Sequence, residues 1–245
     1  MKKFVVGFTF LKLTLVSIFF ALSFSSCQTA KLAEAENQII ASPSPTPQTQ
    51  NDNINRPTSE PYKGDLSIFE DAKRGENLQI ERVMDILKIS EGKSVADIGA
   101  GSGWFTVRAA KRTGNNGKVF AVEISEDALK YINERKTKEN LPNIETVLGA
   151  EDDPKLPKNS VDAALILKTY HEISQPVKVL KNLLPALKEN ALVGIIDRNG
   201  EGNDHGIKKE TVIEEMNRAG FALKNEYDFL KADGMDYFLV LQVKK

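Results

Sequence analysis

The chain has 245 residues, with 33 Lys and Arg against 34 Asp and Glu and a formal net charge of −1. This length accommodates one medium domain plus extensions. No dense Lys/Arg stripe with interleaved aromatics runs through it, so the electrostatic footprint of a nucleic-acid binder is missing, and the single cysteine, Cys27, rules out an internal disulfide framework.

The N-terminus reads as an export signal rather than as part of a fold. Lys2 and Lys3 form a positive n-region, an apolar stretch interrupted only by Lys12 follows over 4–24, and Ser25 and Ser26 precede Cys27. The run Leu22-Ser23-Phe24-Ser25-Ser26-Cys27 resembles a bacterial lipobox, with Phe24 where Leu is usual. The expectation is a lipoprotein signal peptide over 1–26 and a lipidated Cys27 holding the protein at a bacterial membrane, periplasmic or at the cell surface. A plain signal peptide and an uncleaved anchor are the alternatives, the apolar run being about long enough to span a bilayer. Residues 27–63, with the Pro-, Ser- and Asn-rich run 42–53, carry too few apolar groups to offset the entropy of folding. They read as a disordered tether, which leaves 64–245 as the folded domain.

Within 64–245 short apolar runs alternate with helical periods, which argues for βα units and a parallel sheet. Leu78, Ile80, Val83, Met84 and Leu87 predict an amphipathic helix. A strand follows over 94–98, a helix over 103–112 and a second strand over 118–123. Ser125 caps a helix running to 136, with Glu126 and Asp127 in its first turn. Strands are expected over 144–148 and 161–168, a helix over 177–188, a fifth strand over 191–197 and a helix over 211–218 stopped by Gly220. Two last strands, 221–229 and 235–243, form a hairpin around Ala232-Asp233-Gly234.

The strongest motif is Val95-Ala96-Asp97-Ile98-Gly99-Ala100-Gly101-Ser102-Gly103. A strand delivers the chain to a tight glycine turn and a helix follows, so a ligand can approach the backbone closely and meet N–H groups at the helix N-terminus. A dinucleotide loop has the spacing G-x-G-x-x-G, whereas here the glycines stand at 99, 101 and 103 and residue 104 is Trp. Glu123, at the end of the second strand, is placed to accept hydrogen bonds from both ribose hydroxyls of a nucleoside.

This pattern resembles the first motif of class I S-adenosylmethionine-dependent methyltransferases, hydrophobic-x-D/E-x-G-x-G-x-G. The resemblance extends over 78–245. The stretch 148–162 looks like the family's G-D-A-x-x-L-P-x-x-x-x-F-D, with Ala150 in place of the Asp that contacts adenine and Glu151, Asp152 or a backbone group as substitutes. Leu183 to Val193 looks like the family's L-x-x-x-L-x-P-G-G-x-L-x, with Glu189 and Asn190 replacing Pro-Gly. The resemblance implies an α/β, Rossmann-like, three-layer αβα fold. Its sheet would have seven strands, mostly parallel, with a C-terminal antiparallel hairpin. It also implies S-adenosylmethionine as cofactor, held by Asp97, Gly99, Ala100, Gly101, Gly103, Glu123, Ala150, Glu151 and Lys168.

Methyl transfer asks the protein mainly to position a nucleophile, and a base helps only where that nucleophile carries a proton. The acceptor is expected above the C-terminal ends of the fourth and fifth strands. Both histidines of the chain fall there, so His171, Tyr170 and His205 are the catalytic candidates. No metal is expected, because no metal-ligand spacing links the two histidines to Glu172 or Asp204. Phe69, Glu70 and Arg74 are candidates for an N-terminal cover over the cofactor. The acceptor is a small molecule or a protein side chain. Because the cofactor is made in the cytoplasm and the N-terminus points to export, a non-catalytic lipoprotein binding a nucleoside-like ligand is the alternative.

Overall fold

The computed structural model describes residues 53–245, apart from 72, 202–204 and 231–232. The signal segment, Cys27 and most of the tether therefore lie outside the described residues, as do Asp204 and Ala232. Among the described residues, no helix is long and apolar enough to cross a membrane.

Seven strands form one sheet: β1 (Ser94–Ile98), β2 (Lys118–Glu123), β3 (Ile144–Leu148), β4 (Val161–Leu167), β5 (Leu187–Arg198), β6 (Phe221–Tyr227) and β7 (Asp236–Val243). Their order is β3-β2-β1-β4-β5-β7-β6. The first five run parallel, and β7 runs antiparallel between β5 and β6. This is the Rossmann-like sheet with a C-terminal hairpin that the sequence predicts. The order reverses beside β1, so the crevice above the C-terminal ends of β1 and β4 is the switch point at which open α/β sheets bind ligands.

The helices are α1 (Arg74–Asn77), α2 (Ile80–Ile86), α3 (Trp104–Thr113), α4 (Glu126–Lys138), α5 (Pro176–Leu183) and α6 (Lys209–Arg218). Strand alternation gives the sheet two apolar faces. Val95, Val119 and Leu165 pack with α2, α3 and Ile132 of α4 on one side. Ala96, Phe120 and Ile166 pack with α5 and α6 on the other. Ser125 caps α4 as expected, its hydroxyl accepting from the Ala128 N–H.

The helix predicted over 177–188 is corrected. It ends at Leu183, Leu184–Ala186 form a 3-10 turn, and β5 begins at Leu187, which pairs with Val161. Pro185 accounts for this, since proline lacks the N–H that a continuing helix needs. The early start of β5 is accommodated by a register shift opposite Val161 and Ala163. Asn190 lies at a φ of 63° in this stretch, a conformation asparagine tolerates better than most residues.

The end of the tether touches the domain. Ile54 packs against the α5–α6 face. The Arg56 N–H donates to the Ser174 carbonyl at 2.9 Å. Its guanidinium reaches Glu215 at 2.5 Å and lies over the Tyr170 ring.

Candidate active site

The glycine loop leaves β1 at Ile98 and enters α3 at Trp104, with Gly103 as the N-cap. Gly99 has a φ of 72°, and a Cβ there would stand 2.2 Å from the Thr169 methyl. Only glycine lets the loop pass so close to the end of β4. Gly101 has a φ of 56°, and a Cβ there would meet nothing within 4 Å. The loop thus opens onto free space at its tip.

The N–H groups of Gly99 and Ala100 donate to the Val122 carbonyl at 2.9 and 3.1 Å, and that of Gly103 to the Ala100 carbonyl at 2.8 Å. The Gly101 N–H donates to Glu123 Oε1 at 2.7 Å, and the Ile124 N–H to Glu123 Oε2 at 2.9 Å. The expectation that a ligand meets free N–H groups is therefore corrected at these four loop positions, whose donors the fold already uses. The loop supplies shape and room. Glu123 supplies acceptors, because each carboxylate oxygen keeps a further lone pair for a hydroxyl.

Asp97 lies beneath the loop, 2% exposed, and accepts from the Thr106 hydroxyl at 2.6 Å. Burial pushes its carboxyl up to about 7 against that hydrogen bond, and the nearby Glu123 charge adds to the rise. A carboxyl so poised is stabilised in its charged form by any cation that binds beside it.

The segment carrying Phe69, Glu70 and Arg74 packs against the glycine loop and the start of α3. Glu70 accepts from the Ser102 hydroxyl at 2.6 Å and from Arg135 at 2.5 Å, and Arg135 also donates to the Ser102 carbonyl. Arg74 stacks on the fully buried Trp104. A cleft of about 360 Å³ opens between this segment and the end of β4, lined by Phe69, Arg74, Leu78 and Lys168 among others. Lys168 also forms an ion pair with the buried Asp236. At the end of β3, the Gly149 N–H donates to the Glu123 carbonyl at 2.9 Å, which sets Ala150 and Glu151 beside Glu123. The Ala150 N–H is occupied by the Asp153 carbonyl, and the Glu151 side chain is exposed.

Beyond β4 and β5 the structure gathers His171, Glu172 and His205. His171 Nδ1 lies 2.9 Å from Asp197 Oδ1, and the His171 backbone N–H donates to Asp197 Oδ2 at 3.0 Å. Burial opposes the charged ring, but the hydrogen bond and charge of Asp197 outweigh it and hold the His171 pKa above its usual value. Glu172 accepts from the Ser59 N–H at 2.9 Å. Tyr170 is corrected as a catalytic candidate. It is 0% exposed in the core on the α5–α6 face, and its hydroxyl donates to Glu215 at 2.8 Å. Burial raises its pKa well above the ordinary value, so it neither reaches a substrate nor gives up its proton.

Asp197, Thr169, Arg135 and the Arg56–Glu215 pair were missed by sequence reasoning. Asp197 carried a usable signal, an acid closing an apolar strand at the ligand end of the sheet. The others depend on long-range contacts that leave no local pattern.

The profile of the family described as methyltransferase domain matches residues 89–229, which spans β1 through β6. This chain belongs to that family. The methyltransferase domain is also similar to a demethylmenaquinone methyltransferase from Listeria monocytogenes serotype 4a, 26% identical over 48% of this chain and 49% of the relative. It is 26% identical to an (S)-coclaurine N-methyltransferase from Thalictrum flavum over 54% of this chain and 35% of that protein. The chain thus spans about half the length, or less, of these curated relatives. A crystal structure of a SAM-dependent methyltransferase from Aquifex aeolicus superposes with a TM-score of 0.67 at 26% identity, covering 73% of this chain and 96% of that one. The residues of the methyltransferase domain fit S-adenosylmethionine: the space above Gly101 admits a ligand, and Glu123 offers hydroxyl acceptors at its edge.

Proposed function

We propose that this chain transfers a methyl group from S-adenosylmethionine to a small-molecule acceptor. The observation that carries the reading is the open tip of the glycine loop at Gly101 with the Glu123 carboxylate bonded beside it. S-adenosylmethionine supplies a methyl group on a positively charged sulfur. The chain's own residues position it. Glu123 accepts from hydroxyls at the end of β2, Asp97 offers negative charge under the loop, and the segment around Phe69 and Arg74 covers the cleft and excludes water. The acceptor approaches from the rim beyond β4 and β5, where His171, Glu172 and His205 converge. The names of the two curated relatives, a demethylmenaquinone methyltransferase and an (S)-coclaurine N-methyltransferase, support a small molecule over a protein side chain.

The test is turnover. The full chain is incubated with methyl-labelled cofactor and a panel of quinol, phenol and amine acceptors. Label should move to an acceptor at a rate that Glu123→Ala abolishes. Tight cofactor binding with no transfer to any acceptor class would instead favour a non-catalytic, nucleoside-binding protein. The observation that favours this second reading is the lipobox-like run ending at Cys27, which points to export away from the cofactor's source. We infer lipidation at Cys27 from that sequence alone.

A further inference from the structure

We propose that His171, Glu172 and His205 form a binding site for one divalent transition-metal ion of the zinc type. The ligand atoms of these three residues lie within 4.8 Å of one another. Glu172 Oε1 stands 3.5 Å from His171 Nε2 and 3.5 Å from His205 Nδ1. Both separations exceed the usual N–H···O distance of about 2.7–3.2 Å. They match the edge of a tetrahedron around a metal bound at about 2.1 Å, roughly 3.4 Å.

The surroundings are those of a ligand set. A metal-binding histidine typically donates its other ring nitrogen to a carboxylate, which fixes tautomer and orientation. His171 Nδ1 does this to Asp197, which is fully buried, and leaves Nε2 for the ion. Glu172 is oriented by the Ser59 N–H on its other oxygen, Oε2, leaving Oε1 to face both rings. Asp197 and Glu172 place two carboxylates against the two imidazole rings, a charge balance that suits a dication. Lys168, whose charge acts against a protonated His171, is paired with Asp236.

The Ile207 N–H donates to the Arg198 carbonyl at 2.8 Å, which holds the chain just after His205 at the end of β5. The His205 side chain is 78% exposed, and its ring stands edge-on to that of His171 with centroids 6.1 Å apart. Two histidines and one carboxylate fill three positions and leave the solvent side open, as in sites where a water or a substrate completes the coordination. The chemistry of two nitrogens and one oxygen favours zinc or cobalt over calcium or magnesium, which prefer all-oxygen shells.

The experiment is titration of the metal-free full chain, without cofactor, with Zn2+ by calorimetry and with Co2+ by visible absorption. Saturable binding of one ion per chain is expected, with the Co2+ absorption of a four- or five-coordinate site. His205→Ala, at an exposed position that leaves the core intact, should weaken binding at least tenfold. Asp197→Asn should weaken it through the orientation of His171, and a thermal melt checks that this variant folds. Absence of saturable binding, or equal affinity in wild type and His205→Ala, would overturn the site. Neither result bears on cofactor binding, which is measured separately with S-adenosylhomocysteine.

Discussion

Asp97 and Glu123 close neighbouring strands, yet their surroundings give them different tasks. Glu123 is half-buried and bonded by two backbone N–H groups, so it stays available to hydroxyls of a ligand. Asp97 is sealed under the loop, with its pKa raised to about 7 from an ordinary 3.8. The native state therefore holds this proton where the unfolded chain has released it. Between about pH 4 and 7 the native state binds more protons, so this group makes stability fall as pH rises. Asp97→Asn keeps an acceptor for the Thr106 hydroxyl and removes the burden. The variant should gain stability over wild type at pH 8, on the order of a few kcal/mol, and little at pH 4. Urea denaturation at the two pH values checks this, and parallel pH profiles for the two proteins would contradict it. The motif made Asp97 legible as a site residue. Its proton affinity was not legible, because that depends on how deeply α3 and the glycine loop bury it.

At the scale of elements, the sequence showed all seven strands and five of the six described helices in order, because alternation and helical periods are local, while the four-residue α1 is too short to show a period. It overran the helix that ends at Leu183. The apolar period there continues through Leu184 and Leu187, and Pro185 decides against it. It also took Tyr170 for a rim residue, since a tyrosine at a strand end gives no local sign of facing the core. The segment around Arg56 was read as tether for a related reason. Its partner Glu215 is 159 residues away, and a single arginine among polar residues has no periodicity. The structure makes that contact consequential. Glu215 is 4% exposed, and among the described residues the Tyr170 hydroxyl is the partner that would remain to it without Arg56. Breaking one side of a buried pair costs about 3–5 kcal/mol. With Arg56 16% exposed on its side chain, Arg56→Ala is expected near or below the lower figure in chemical denaturation. Glu215→Gln in the same chain should restore part of the loss, and an unchanged midpoint for Arg56→Ala would show that the strap contributes nothing.

On the scale of the whole molecule, the parts of the site differ in how the sequence encodes them. The glycine loop and Glu123 belong to consecutive βαβ elements, so their spacing announces the cofactor side. The proposed acceptor side is assembled from the ends of β4 and β5, His205 and the N-terminal strap carrying Ser59. No spacing connects these, and only the fold brings them together. The central claim therefore rests on the cofactor side, and calorimetric titration of the full chain with S-adenosylhomocysteine tests it most directly. Saturable heat at a single site is predicted, with affinity at least tenfold weaker in Glu123→Ala, since hydrogen bonds to a charged group contribute about 1.5–3 kcal/mol. No heat from the folded wild-type chain at millimolar ligand, or equal binding by Glu123→Ala, would contradict it.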